Sequence, residues 1–134
     1  MSLKFEENNT FALVTRGLTY YKLKRYEEAL GDFSKLLDLN PDDAMTLGYR
    51  GQTYLGLKQY EVSLNDSINS LQIDPKNIIA LLVQGESCFR LVRYDESLKS
   101  LTELLNIEQK NVDALKTRGK AYYMLENYKY SSKT

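Results

Sequence analysis

The sequence has 134 residues, with 18 Lys and Arg against 18 Asp and Glu, no His and one Cys, a composition typical of folded domains. A net charge of zero without a block of like charges offers no patch for nucleic acid, and no apolar run is long enough to cross a bilayer. The absence of His removes the usual general base near neutral pH and the commonest metal ligand. We therefore expect no enzymatic activity, no cofactor or metal, and no nucleic-acid or membrane partner.

The single cysteine bears on the cellular compartment. One Cys cannot make an internal disulfide, which is typical of proteins in a reducing environment. Residues 1–20 lack the charged, apolar and small-residue order of a secretory signal. We therefore expect an intracellular, cytoplasmic location.

A shift of 34 residues superimposes the sequence on itself, which identifies an internal repeat. The glycine column of this alignment consists of Gly17, Gly51, Gly85 and Gly119. Four residues before each glycine stands a leucine, namely Leu13, Leu47, Leu81 and Leu115. A tyrosine column follows, made of Tyr26, Tyr60, Tyr94 and Tyr128. So many matches at one spacing indicate repeated structural units.

Each unit is predicted to be a pair of helices. In the first unit, Leu13, Gly17 and Tyr20 follow helical spacing, and a second run with the same period begins at Tyr26. The step between the two runs is so short that only an antiparallel hairpin can connect them. In chain order we predict the end of a preceding second helix and its loop at 1–9, complete units at 10–43, 44–77 and 78–111, and a partial unit at 112–134 with a truncated second helix.

The repeated pattern resembles the tetratricopeptide repeat. It reads Leu-x-x-Arg-Gly-x-x-Tyr in the first helix, Tyr-x-x-Ala or Ser in the second, and Pro at the end of the unit; the first unit carries it on Leu13, Arg16, Gly17, Tyr20, Tyr26, Ala29 and Pro41. The resemblance covers nearly the whole chain. It implies an all-α fold, a right-handed α-solenoid of antiparallel helix pairs, in which the first helices line a concave groove and the second helices form the convex back.

The glycine column indicates close helix packing, since Gly inside a helix costs about 1 kcal/mol relative to Ala. We expect the small residues Ala29, Ser63 and Ser97 of the second helices to face these glycines. The leucine column, Leu115 included, is predicted to be core, and Cys88 is predicted to be a small core side chain instead of a reactive thiol. The side of residues 112–125 that no second helix covers should be adhesive, which makes self-association through it possible.

The resemblance also implies which side chains face a ligand, because in this family fixed positions of each unit line the concave face. The groove is expected to be apolar and aromatic at its centre and basic at its far end. Its predicted residues are Phe11, Val14, Leu18, Tyr21, Met45, Tyr49, Gln52, Leu55, Ile79, Leu82, Val83, Glu86, Phe89, Lys116, Lys120 and Tyr123.

The function implied by the resemblance is non-catalytic binding of a peptide or helix of a partner protein in this groove. The alternative is a structural role, in which the exposed faces of a longer repeat array mediate stacking of repeats or self-association. Chaperone-binding members of the family grip a terminal carboxylate with Lys, Asn and Arg on their first, third and fifth helices. In the two possible registers those positions hold Val14, Leu18, Tyr49, Ile79 and Val83, or Gly48, Gln52, Val83, Asp113 and Thr117, so no carboxylate clamp for heat-shock chaperones is expected.

A last pattern links the two helices of a unit. An Arg at the seventh position of the first two units stands sixteen residues before an Asp, which predicts that Arg16 pairs with Asp32 and Arg50 with Asp66. In the third unit Ser100 replaces the acid and a neutral Gln84 replaces the base. The alternative is that the arginine stems only cover apolar surface while their charged heads stay in water.

Overall fold

The computed structural model describes the backbone of residues 9–132 and the side chains of residues 9–127, and this part of the chain is entirely helical apart from short connections. The expectation for residues 1–8 lies outside the described residues. The helices are α1 (Thr10–Lys22), α2 (Tyr26–Leu39), α3 (Ala44–Gly56), α4 (Tyr60–Ile73), α5 (Ile78–Arg90), α6 (Tyr94–Ile107) and α7 (Val112–Ser132). None of these described helices is long and apolar enough to cross a membrane. The predicted all-α solenoid is confirmed.

The helices form two layers. The inner helices α1, α3, α5 and α7 contact one another in sequence, α1 with α3, α3 with α5 and α5 with α7. The outer helices α2, α4 and α6 each pack between two inner helices, and no contact joins one outer helix to another within the described residues. Because the inner helices touch and the outer helices do not, the array curves toward the inner layer.

The inner helices begin at asparagine or aspartate caps. Side-chain oxygens of Asn9, Asp43, Asn77 and Asn111 accept hydrogen bonds from backbone N–H groups in the first turns of α1, α3, α5 and α7. Such caps satisfy donors that have no partner within the helix, at about 0.5–2 kcal/mol each. They fix the first residue of every inner helix and therefore the register of the repeats.

A left-handed residue makes the turn within each helix pair. Lys24, Lys58 and Val92 have φ angles of 63°, 62° and 65°, a conformation that favours glycine. In the first pair, the backbone N–H of the next residue, Arg25, donates to the Tyr20 carbonyl at 2.8 Å. This bond closes the turn at the end of α1, and α2 then runs antiparallel to α1.

The glycine column is where inner and outer helices come closest. A Cβ on Gly17 would lie 2.7 Å from the ring of Phe33, and a Cβ on Gly51 would lie 3.2 Å from the backbone oxygen of Ser63. The hydroxyl of Ser63 donates to the Gly51 carbonyl at 2.7 Å, as Ser97 does to Gly85. The close approach predicted from the glycines is confirmed in these units.

The core predictions hold for the complete units and fail for the last one. Leu13, Leu47 and Leu81 are buried, and so is Cys88, whose pKa is raised by burial to about 11. Leu115, predicted to be core, is 45% exposed. That prediction was wrong because α6 is the one outer helix packed against α7 in the described residues, and these residues contain no later outer helix that would cover Leu115.

The fourth unit also departs from the predicted helix pair. A truncated second helix was expected to begin at Tyr128, but α7 runs without a break from Val112 to Ser132.

The predicted ion pairs are present. Arg16 donates to both carboxylate oxygens of Asp32 at 2.9 and 2.8 Å, and Arg50 donates to Asp66 at 2.8 and 3.0 Å. The two aspartates are buried. Both guanidinium groups also lie over tyrosine rings. The two arginines therefore cover aromatic surface, as the alternative expected, and pair with the aspartates at the same time.

The neutral version of this pair joins α5 to α6. Ser100 donates its hydroxyl to Oε1 of Gln84 at 2.7 Å, in the third unit where both charges of the pair are replaced. The exchange of a charged pair for a neutral one keeps the buried polar side chain of the outer helix, Asp32, Asp66 or Ser100, hydrogen-bonded in each complete unit.

The glycine contacts yield a stability prediction. We expect Gly51→Leu to lower the free energy of unfolding by about 1–3 kcal/mol or more, because backbone atoms of Ser63 cannot move away as a side chain could. Gly119→Leu should be neutral or stabilising, since no atom lies within 4 Å of a Cβ there and Leu favours a helix over Gly. Urea unfolding of both variants measures the difference, and equal losses would contradict the assignment.

A second prediction concerns the ion pairs. In a double-mutant cycle we expect Arg50 and Asp66 to couple by about 1 kcal/mol or more, because both side chains are largely buried, with exposures of 24% and 4%. The matched pair Arg16 and Asp32 should couple less, since the Arg16 side chain is 58% exposed. Thermal or urea unfolding provides the free energies, and zero coupling for Arg50 with Asp66 would contradict the prediction.

Candidate functional site

A cavity of about 390 Å³ opens on the inner layer toward the ends of α3 and α5. Side chains of the inner helices α3, α5 and α7 line it, together with Tyr21 on the inner helix α1. All four repeat units therefore contribute to one concave surface. Eight of the predicted groove residues line this cavity: Tyr21, Gln52, Leu55, Leu82, Val83, Glu86, Phe89 and Lys120. The structure brings these residues together as predicted from their positions in the repeats.

The other predicted groove residues lie elsewhere on the inner layer. Val14, Leu18 and Tyr49 pack against the core cluster of Leu13 and Phe33, with the Tyr49 and Phe33 ring centroids 5.7 Å apart. The remaining five do not line the cavity and are half-buried or exposed: Phe11, Met45, Ile79, Lys116 and Tyr123.

Six cavity residues are absent from the predicted groove residues above, namely Gly56, Lys58, Tyr60, Arg90, Asp113 and Thr117. Two of the six, Lys58 and Tyr60, lie outside the inner helices. Lys58 is the left-handed turn residue between α3 and α4, and Tyr60 is the first residue of α4. In the sequence, Tyr60 was recognised only as a member of the tyrosine column and not as a groove residue. Because the cavity reaches the turn end of the helix pair, both side chains extend its wall.

The cavity is more polar than the apolar groove that the sequence predicted. Leu55, Leu82 and Phe89 supply apolar walls, but charged side chains reach the cavity from α5 and α7. These charged residues are Glu86, Arg90, Asp113 and Lys120. Charged side chains of separate inner helices thus meet in the same concavity.

The electrostatics of the cavity centre on Glu86. Burial raises the pKa of the Glu86 carboxyl, and the nearby Asp113 carboxylate raises it further, while Arg90, a hydrogen bond from Thr117 and Lys120 act in the opposite direction. The ion pairs among the described residues do not include Glu86 or Asp113. The two carboxylates thus have no salt-bridge partner among the described residues, and Glu86 accepts a hydrogen bond from Thr117.

The phenol of Tyr21 faces the same two acids across the cavity. Burial raises the pKa of Tyr21 to about 12, with further contributions from Tyr26, Glu86 and Asp113. The phenol therefore stays protonated at neutral pH and serves as a hydrogen-bond donor or acceptor. No group of three or more potential metal-ligating side chains occurs among the described residues.

The raised pKa of Glu86 predicts a pH-dependent effect of Glu86→Gln. An acid whose pKa rises on folding destabilises the folded state when it is ionised, so the variant should be more stable than the wild type near pH 7. The advantage should shrink as the pH falls through the raised pKa of Glu86, because the wild-type carboxyl then becomes neutral too. Urea unfolding over a pH series measures it, and a difference independent of pH would contradict the prediction.

Comparison with known proteins adds to this geometry. The family model described as the tetratricopeptide repeat matches residues 10–43. No curated protein is significantly similar to the chain in sequence.

Solved structures are similar over most of the chain. The first TPR domain of human RPAP3 is 23% identical, with 93% of this chain and 98% of that one covered and a TM-score of 0.84. The first TPR of Spaghetti (RPAP3), bound to the HSP90 peptide SRMEEVD, is 24% identical, with coverage of 87% and 93% and a TM-score of 0.82. The Sgt2 TPR domain from Aspergillus fumigatus is 18% identical, with coverage of 90% and 82% and a TM-score of 0.85.

Proposed function

Because the chain is a tetratricopeptide-repeat protein, its first unit matching the family model and its fold matching TPR domains, we propose that it binds a partner peptide or helix in the concave cavity. The observation that carries the proposal is the cavity itself, which residues of all four units line together. Binding sites of this size combine apolar walls with a few polar groups that fix orientation. This cavity has both kinds of surface, and the proposed binding requires no catalytic group.

The partner's chemistry should differ from that of the HSP90 peptide bound by Spaghetti. Neither register of the inner helices places the Lys, Asn and Arg of a carboxylate clamp on this chain. Instead, the carboxylates of Glu86 and Asp113 line the cavity. Three cationic side chains, Lys58, Arg90 and Lys120, line the same cavity, so we base the expected difference from an acidic chain terminus on the missing clamp residues.

The test uses peptides selected from a random library displayed on phage against the folded chain. We expect Leu82→Ala and Gln52→Ala each to weaken their binding by about tenfold, about 1.4 kcal/mol, because groove anchors concentrate binding energy. Leu82 also touches the core cluster of Leu81, so Gln52→Ala serves where Leu82→Ala lowers stability. Isothermal titration calorimetry measures the affinities.

The matched control is Ile68→Ala, on the exposed surface of the outer helix α4, which should leave the affinity unchanged. The peptide SRMEEVD should bind more weakly than the selected peptides. The proposal would be contradicted if the selected peptides bound both cavity variants as tightly as the wild type, or if the library yielded no binder.

The alternative function is structural, with exposed faces of the array making contacts to further helices or to a second copy. The observation that favours it is the exposure of Leu115 and Tyr122 on α7, at 45% and 53%. Neither side chain lines the cavity, so this surface is separate from it.

A further inference from the structure

The charged side chains of the concave cavity are sorted by sign along the inner helices. On α5 the acid Glu86 stands before the base Arg90, and on α7 the acid Asp113 stands before the base Lys120. At a rise of about 1.5 Å per residue, the acid and the base are separated by about 6 Å on α5 and by about 10 Å on α7. In both helices the acid therefore lies nearer the capped start of the helix than the base does.

The charges of α5 and α7 reinforce one another because the two helices run in the same direction on either side of the antiparallel α6. The hydroxyl of Thr117 on α7 donates to the Glu86 carboxylate on α5, which places these two residues at one level of the cavity. Asp113 lies about one turn before that level, and Lys120 lies about one turn after it. Glu86 and Asp113 thus form the acidic end of the cavity.

The opposite end of the cavity carries three bases. Arg90 is the last residue of α5, and its guanidinium lies over the ring of Tyr60, 5.9 Å from the centroid. Lys58 is the turn residue that follows α3, and Lys120 reaches the same cavity from α7. Lys58, Arg90 and Lys120 therefore form its basic end.

The charges of the two ends do not neutralise one another by direct contact. No salt bridge among the described residues includes any of these five side chains, and all of them except Glu86 are exposed. The same cavity has an apolar wall of Leu55, Leu82 and Phe89. It therefore offers a ligand an anionic, a cationic and an apolar contact at once.

We propose that the partner segment bound in this cavity carries an acidic side chain at the basic end, a basic side chain at the acidic end, and an apolar side chain on the wall. This inference rests on the proposed function, because it specifies the peptide that the cavity binds. A charge separation of about 10 Å corresponds to about three residues of an extended peptide or to about two turns of a helix. The two charges fix the orientation of the segment.

A segment with charges of one sign only is a poorer ligand for this cavity. An acidic segment is attracted by Lys58 and Arg90 but is repelled by Glu86 and Asp113. A basic segment has the reverse problem. The sorted charges therefore discriminate against both kinds of segment and favour one that carries both signs.

The probes for the test are the peptides selected from the phage library, synthesised with capped termini so that only their side chains are charged. Double-mutant cycles between chain and peptide measure which charges meet. We expect Arg90→Gln to couple about threefold in Kd with replacement of the peptide's acid by its amide. Asp113→Asn should couple about threefold with replacement of the peptide's base by Gln, and the crossed combinations should not couple.

The matched controls are Lys99→Gln and Glu103→Gln, because both residues are exposed on the outer helix α6 and neither lines the cavity. Each control should leave the affinity unchanged. Arg90 and Asp113 are exposed as well, so circular dichroism should show unchanged helix content in their variants. Isothermal titration calorimetry measures all the affinities.

The outcomes separate this inference from the proposed function. Peptides that are weakened by Gln52→Ala but lack an acid or a base, or that show no charge coupling, would overturn the inference and leave groove binding intact. Coupling confined to the crossed combinations would overturn it as well. A library without a binder, or peptides insensitive to both Gln52→Ala and Leu82→Ala, would overturn the inference together with the proposed function.

Discussion

The close approach of two helices at a glycine is the contact on which each unit of this solenoid depends. A glycine inside a helix costs about 1 kcal/mol, but its missing side chain leaves room for Phe33 at Gly17 and for Leu101 at Gly85. Full burial of such a side chain is worth about 1.5–3 kcal/mol, and both are 0% exposed. The gain exceeds the cost only while an outer helix covers the glycine, and Gly119 is the member of the glycine column that has no atom near its Cβ position in the described residues.

The same close approach determines the polar interior. Small residues are needed at the contact, and where they are serines their hydroxyls must find partners within the protein. Ser63 and Ser97 use the glycine carbonyls, and Ser87 donates to Ser63 at 3.1 Å. Among the described residues, no buried side-chain nitrogen or oxygen lacks a partner. Packing and hydrogen bonding are therefore satisfied by the same few residues.

Much of the fold could be predicted from the sequence because its decisive contacts recur. The spacing of Gly17 and Gly51 predicted the close helix pairs, and the separation of Arg50 from Asp66 predicted an ion pair that the structure contains. The left-handed turns at Lys24 and Val92 could not be predicted, because neither residue type favours that conformation.

The last unit and the cavity were harder to predict for a different reason. Whether Leu115 is buried depends on a neighbouring helix and not on its place in the repeat pattern. The polarity of the cavity depends on how Glu86 and Asp113, on separate helices, come to face one another. Position in a repeat predicts which face a side chain occupies, but the chemistry of a concave surface comes from the summed contributions of several units.

The arrangement of the two layers has a mechanical consequence. Inner helices touch their inner neighbours, whereas successive outer helices share no direct contact. Rotation of one unit against the next is therefore restrained by each outer helix against the next inner helix, and not by one outer helix against another. Small rotations add along the array, so we expect the width of the concave opening to change as neighbouring units rotate.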